Sequence, residues 1–139
     1  MAVFQDVFPD TQELFDGFIG KIESLNEVSI KILGNNKLKE PYKVVKATDL
    51  TRYLSTYDIV IIVNESVFEL LDEENKQMII EESVARIYYD MEKGKVSIIN
   101  PDMSTFSLLV VKFGIDKYIR LQQMVREIFQ QQADAASNG

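Results

Sequence analysis

The chain has 139 residues, of which 46% are hydrophobic and 27% charged, the balance of an ordinary single globular domain. It contains no cysteine and no histidine, which excludes disulfides, thiolate metal sites and the residue most often used as zinc ligand and general base. The net charge is −7, and residues 58–92 hold the excess, because 10 acidic and 2 basic side chains there give −8. A surface of that sign repels phosphates, so we expect a protein partner and no direct nucleic-acid binding.

The expected location is the cytoplasm. The first residues lack the basic stretch followed by a long apolar run that marks a secretory signal. No apolar run reaches the length of about 18 residues that a membrane span needs, so we expect no membrane segment. The absence of cysteine fits a reducing compartment.

The first half of the chain predicts two helices and two strands. Asp10 and Glu13 have the spacing of a capping pair at a helix start. Pro41 places the second strand at a sheet edge or stands at its start. The predicted elements, in order, are a helix over 10–25, a strand over 27–33, a short strand from Tyr42 to Val45 and a short helix capped by Thr48.

The second half contains the strongest pattern in the chain. Residues 59–63 are continuously apolar and β-branched, which indicates a strand buried on both faces. The predicted elements, in order, are a strand over 58–63, a short helix capped by Asn64, a long helix from Asp72 to about Tyr89, a short strand at 96–98, a helix from Asp102 to Gly114 and a last helix over 115–131.

These elements predict one α+β domain over residues 1–132. It consists of a short mixed sheet packed by helices, with an amphipathic helix at each end. Residues 133–139 are small and polar, and we expect them to form a flexible tail.

An ordered set of motifs covers residues 58–114. They read DIVIIVNESVF at 58–68, LDEENK at 71–76, IYYD at 87–90, EKGK at 92–95 and PD at 101–102, followed by Phe106 and Gly114. In this order and spacing they resemble the phage metallopeptidase family, zincin-like proteins of phages and mobile elements. The resemblance implies a zincin-like fold whose long helix carries His-Glu-x-x-His. In that motif two histidines bind zinc and the glutamate polarises the attacking water.

The resemblance also implies that this chain has lost the zinc site. Glu82 and Arg86 stand at the two histidine positions of the helix, and Ser83 stands at the glutamate position. Pro101 stands where the family has its third histidine. The guanidinium of Arg86 stays protonated and cannot bind zinc. We therefore expect no metal, no cofactor and no catalytic residue.

Two interpretations of Glu82 and Arg86 are open. They are four residues apart with the acid first, the favourable order for a helix ion pair. A structural ion pair would then fill the space of the lost metal site. Alternatively, both charges are solvated and contribute less than about 1 kcal/mol. Ser83 has a nucleophilic interpretation with Lys76 as its base, but a small packing residue explains it better.

An acidic cluster is the candidate partner-binding surface. It could mimic nucleic-acid phosphates toward a basic protein, or it could be a solvated helix face with two caps. Its members are Glu65, Glu69, Asp72, Glu73 and Glu74.

Taken together, we expect a catalytically inactive, metallopeptidase-like phage protein. It would act by binding a host or phage protein as an inhibitor or regulator, in the bacterial cytoplasm. One alternative is a structural or assembly component of the virion. Another is a residual hydrolase whose metal is held by carboxylates, drawn from Glu81, Glu82, Asp90 and Asp102.

Overall fold

A mixed four-stranded sheet is the framework of the protein, whose structure is a computed structural model that describes residues 4–99 and 112–138. The strands are β1 (Gln5–Asp6), β2 (Ile30–Gly34), β3 (Tyr42–Lys46) and β4 (Ile59–Val63), in the spatial order β1-β2-β4-β3. Strand β4 runs parallel to β2 and antiparallel to β3. Ile59, Ile61 and Val63, which share one face of β4, are completely buried. On the other face Ile62 is 8% exposed and Val60 is partly buried. The predicted strand is confirmed, and its burial is complete on one face only. Strand β3 lies at the sheet edge, as predicted.

Helices pack against this sheet and stand at both ends of the described chain. They are α1 (Pro9–Ile19), α2 (Asp49–Ser55), α3 (Glu65–Phe68), α4 (Glu73–Ala85) and α5 (Ile115–Asn138). Thr48, Asn64 and Asp72 cap α2, α3 and α4, as predicted. Each accepts a hydrogen bond from the backbone N–H three residues later, at 3.1, 3.4 and 2.8 Å. The fold is therefore α+β.

The first helix differs from its prediction at both ends. Helix α1 begins at Pro9, which suits a first helical position because its missing N–H needs no partner there. The predicted capping pair Asp10 and Glu13 is wrong, since Phe8 precedes the helix and makes no side-chain cap. The helix ends at Ile19, and a short 3-10 turn at Glu23–Leu25 follows.

The long helix is shorter than predicted because its last residues form a strand. Helix α4 ends at Ala85, and β5 (Ile87–Asp90) follows at once. Strand β5 pairs antiparallel with β6 (Lys95–Ile98) across a turn at Gly94, whose φ of +62° favours glycine. Isoleucine and tyrosine are common in strands. The pairing with β6 gives this segment its strand conformation instead of a continued helix.

The last helix is longer than predicted. Helix α5 runs to Asn138, beyond the end that the sequence predicted at residue 131, so residues 133–138 are helical. Tyr118, Leu121 and Ile128 join the same hydrophobic cluster as the residues of the sheet, α1 and α4. Pro101 and most of the helix predicted from Asp102 lie outside the described residues. No helix within the described residues has both the length and the apolar content to cross a lipid bilayer.

Candidate functional site

Glu82 is held by tyrosines from two other elements. On α4, its carboxylate accepts a hydrogen bond from the Tyr42 hydroxyl of β3, with 2.7 Å between the oxygens. The hydroxyl of Tyr118, on α5, interacts with the same carboxylate. Both tyrosines are buried. Glu82 therefore joins an edge strand and the last helix to α4, at the position where the family resemblance implies a zinc ligand.

The surroundings raise the pKa of both tyrosines above the ordinary value near 10. Burial raises the pKa of the Tyr42 phenol far above its ordinary value, and the Glu82 carboxylate raises it further while Arg86 opposes the shift. Burial also raises the pKa of Tyr118; Glu82 adds to the increase, and a hydrogen bond with Gln122 opposes it. Each phenol therefore keeps its proton further into the alkaline range than a free tyrosine does.

Arg86 contacts Tyr42 instead of Glu82. Its guanidinium carbon lies 5.9 Å from the centre of the Tyr42 ring. Its Nε is buried and has no hydrogen-bond partner. The predicted ion pair between Glu82 and Arg86 is wrong, because the salt bridges of the described residues do not include it. Tyr42 contacts both residues, the first through its hydroxyl and the second through its ring. Both side chains are partly buried.

The remaining candidate catalytic positions serve the fold. Ser83 is completely buried, and its hydroxyl donates to the Ile80 carbonyl at 2.9 Å. It is therefore a packing residue with no path to a substrate. Lys76, the base considered for it, lies with its Nζ 5.5 Å from the ring centre of Phe68. Pro101 lies outside the described residues.

The carboxylates that were candidate metal ligands accept hydrogen bonds from different parts of the protein. Glu81 accepts hydrogen bonds from Lys112 and Gln77. Asp90 accepts from two backbone N–H groups of the turn between β5 and β6. Asp102 lies outside the described residues. In residues 4–99 and 112–138, no three acidic side chains come together as metal ligands.

The acidic cluster divides into one buried residue and four exposed ones. Glu69, Asp72, Glu73 and Glu74 are exposed. Asp72 caps α4, and Glu74 forms a 3.1 Å salt bridge with Lys117 of α5. The assignment of Glu65 to this surface is wrong, because only 1% of Glu65 is exposed.

Glu65 instead attaches the start of α1 to α3. Its carboxylate accepts hydrogen bonds from the Phe8 backbone N–H at 3.0 Å and from the Thr11 hydroxyl at 2.9 Å. Phe8 immediately precedes α1, so the carboxylate satisfies donors where that helix begins. The position of Glu65 at the start of α3 gave no signal of this long-range role.

A groove between α1 and α4 collects acidic and apolar side chains. Its volume is about 630 Å³, and a smaller pocket that includes Phe8 and Glu69 adjoins it. Phe8 is 50% exposed and Leu14 is 41% exposed. We call this surface the acidic groove. Its apolar members are Phe8, Leu14 and Phe18, its acidic members are Asp10, Glu13, Glu69 and Glu73, and its basic members are Lys21 and Lys76. Sequence reasoning found Glu69 and Glu73 but missed the contribution of α1.

The protein is an α+β domain with a partly buried, tyrosine-bound glutamate and an acidic groove on its surface. No model of a known protein family matches the chain, and comparisons with curated proteins and with solved structures also find no match.

Proposed function

We propose that this protein is a catalytically inactive relative of phage metallopeptidases that acts by binding another protein. The acidic groove is the observation that carries the proposal. Exposed Phe8 and Leu14 lie among carboxylates there, and exposed apolar side chains with a polar rim are typical of protein-binding surfaces.

Contacts at the former ligand positions support the inactive part of the proposal. Glu82 accepts a hydrogen bond from Tyr42, and Arg86 packs on the ring of the same tyrosine. Ser83 is bonded to the backbone of its own helix. We take these contacts, which hold α4 in place, as support for a structural role of the three positions.

The chemistry of the groove indicates the class of partner. Four acidic members outnumber the two lysines, so a basic segment is favoured and phosphates are repelled. The apolar members favour an amphipathic helix that places its apolar face in the groove. The partner is a host or phage protein, and the complex forms in the bacterial cytoplasm.

A peptide titration tests the binding function. The probe is a fluorescent amphipathic helix with lysines on its polar face and leucines on its apolar face. We expect saturable binding that weakens with salt. Glu73→Lys is expected to weaken it roughly threefold to tenfold, because it removes an attraction and adds a repulsion of similar size.

Glu92→Lys is the matched control, since Glu92 is also exposed but lies in the turn between β5 and β6. The control should bind like the wild type. Equal binding by the Glu73→Lys variant, or no saturable binding by the wild type, contradicts the groove as the binding site.

Metal analysis tests the inactive part separately. Native mass spectrometry of protein purified without chelator should show the mass of the bare chain after addition of zinc. One tightly held zinc per chain would overturn this part of the proposal and favour the carboxylate-bound hydrolase.

A further inference from the structure

A second pocket lies where the start of β3 meets α4 and α5. Its volume of about 410 Å³ is within the range of about 300–1,000 Å³ that is usual for small-molecule sites. It shares no residue with the acidic groove. Apolar side chains from both helices line it and continue the hydrophobic cluster of the domain, among them Ile79, Leu121, Val125 and Phe129. We call this site the α4–α5 pocket.

Glu82 contributes a carboxylate to the α4–α5 pocket that two phenols hold in place. The Tyr42 hydroxyl donates to it at 2.7 Å, and the Tyr118 hydroxyl interacts with the same carboxylate. An ionised carboxylate has about four lone-pair sites, so two donors leave room for a third. Because Glu82 is partly buried, a charged donor from a ligand would find little competition from water there. Glu82 is therefore placed to accept from an ammonium group.

Arg126 contributes an unpaired cation to the same pocket. It is exposed, and in the part of the chain that the structure describes it forms neither a salt bridge nor a hydrogen bond. Tyr118, Gln122 and Arg126 are four residues apart and form one row along α5. Side chains of a helix are directed toward its N-terminus, so the guanidinium is directed along this row toward the turn that contacts Glu82.

The charges of the α4–α5 pocket balance. Lys39 and Glu40, adjacent in the loop before β3, join Glu82 and Arg126, which gives two cations and two anions. A balanced pocket attracts neither cations nor anions in general. It is complementary to a zwitterion, because each charge of such a ligand then finds an opposite partner.

We propose that the α4–α5 pocket binds a free α-amino acid with an apolar side chain. The carboxylate of the ligand pairs with Arg126, whose planar guanidinium can donate two parallel hydrogen bonds to it. The ammonium group donates to Glu82, and the side chain packs on Val125 and Phe129. The ligand would contact β3, α4 and α5 together, so its binding stabilises the packing of these elements.

An NMR titration of isotope-labelled protein with leucine tests the proposal. We expect saturable shifts of the backbone amides that surround the pocket, in Tyr42 and in residues 121–129, and little change in α1. The midpoint of thermal unfolding should rise with leucine concentration, because the pocket exists only in the folded state.

Two analogues of leucine test the two charges separately. Leucine amide lacks the carboxylate and should bind at least about threefold more weakly, the effect of losing an ion pair at an exposed arginine. N-acetyl-leucine lacks the ammonium group and imitates the C-terminal residue of a peptide. It should bind about tenfold more weakly, because it loses a charged hydrogen bond to the partly buried Glu82. Equal binding of N-acetyl-leucine and leucine would contradict a site for the free amino acid.

A pair of arginine variants tests the position of the site. Arg126→Gln should weaken leucine binding at least about threefold without a change in the unfolding midpoint of the free protein. Arg120→Gln is the matched control, since Arg120 is also exposed on α5 but does not line the pocket. It should bind leucine like the wild type.

The outcomes are independent of the proposed function, because the basic peptide binds a different surface. Absence of saturable shifts with leucine and with phenylalanine overturns the amino-acid site, whatever the peptide does. Equal weakening by Arg126→Gln and Arg120→Gln also overturns it, since the arginines would then act only through the net charge. Leucine binding without peptide binding would contradict the acidic groove and leave the α4–α5 pocket supported.

Discussion

The hydroxyl of Tyr42 determines how the Glu82 carboxylate is accommodated in a partly buried position. Tyr42→Phe removes the donor and keeps the ring, so the carboxylate loses a hydrogen bond without a change in packing. We expect the free energy of unfolding to fall by about 1–3 kcal/mol, measured by urea denaturation. Tyr53→Phe is the matched control, because Tyr53 is 84% exposed and should change stability by less than about 0.5 kcal/mol.

A double-mutant cycle shows whether the loss comes from this contact. Combining Tyr42→Phe with Glu82→Gln should give a smaller effect than the sum of the two single changes, with a coupling of about 0.5–3 kcal/mol. Additive effects would mean that the two side chains stabilise the fold independently, contrary to the 2.7 Å hydrogen bond.

The same tyrosine makes stability sensitive to alkaline pH. Burial, with Glu82 adding to it, raises the folded-state pKa of Tyr42 above the value near 10 of the unfolded chain. At a pH between the two pKa values, Tyr42 has lost its phenol proton in the unfolded state but keeps it in the folded state. Raising the pH therefore favours unfolding. The contribution of Tyr42 is fully present below about pH 10 and declines as pH rises above it.

Urea denaturation from neutral to alkaline pH measures this decline. The stability difference between the wild type and the Tyr42→Phe variant should be constant below about pH 10 and should narrow above it. Taking the difference removes the lysines, which titrate in the same range in both proteins. A difference that stays constant through this range would falsify the assignment of a raised pKa to Tyr42.

At the scale of elements, one carboxylate fixes the start of α1, whose Phe15 is completely buried in the core. Glu65→Ala removes the acceptor for the Phe8 N–H and the Thr11 hydroxyl. We expect a loss of about 1.5–3 kcal/mol, the range for hydrogen bonds to a charged group. Amide hydrogen exchange should accelerate more in α1 than in α4.

Glu69→Ala is the control for this prediction. Glu69 lies four residues after Glu65 and is exposed, so its removal should leave exchange in α1 unchanged. Equal acceleration in α1 and α4 by the Glu65→Ala variant would indicate global destabilisation and contradict a local attachment.

Elements with local signals are predictable from the sequence, and those that depend on distant partners are not. The caps at Thr48, Asn64 and Asp72 act within three residues, and the apolar run of β4 is continuous, so both predictions are confirmed. The segment Ile87–Asp90 follows a helix without a break, and only its pairing with β6 makes it a strand.

The candidate site follows the same rule. The resemblance directs attention to Glu82, but its hydrogen-bond donor Tyr42 lies 40 residues earlier in the chain. Glu65 looks like part of an acidic surface because its neighbours are acidic. Its burial depends on Phe8 and Thr11, more than 50 residues away, and the local pattern carries no information about them.

At the scale of the whole molecule, the excess negative charge lies in the segment from β4 to the β5–β6 hairpin. Residues 58–92 carry 10 acidic and 2 basic side chains, whereas the rest of the chain is nearly balanced. An uneven distribution of this kind orients approaching partners and makes association rates depend on salt.

The C-terminal limit of the cooperatively folding domain is also a property of the whole molecule. Helix α5 allows a direct test of where this limit lies. Leu121 is 2% exposed and Ile128 is 7% exposed, so the first four turns of α5 pack on the core. Residues 133–135 are exposed. Deletion of residues 133–139 should therefore change the free energy of unfolding by less than about 0.5 kcal/mol.

Leu121→Ala, in the same helix, should cost about 2–5 kcal/mol because it removes a buried side chain and leaves a cavity. Urea denaturation of both variants gives the comparison. A truncated protein that loses as much stability as the Leu121→Ala variant would place the last turn of α5 within the cooperative unit. In that case residues 133–138 of α5 would stabilise the domain, contrary to this prediction.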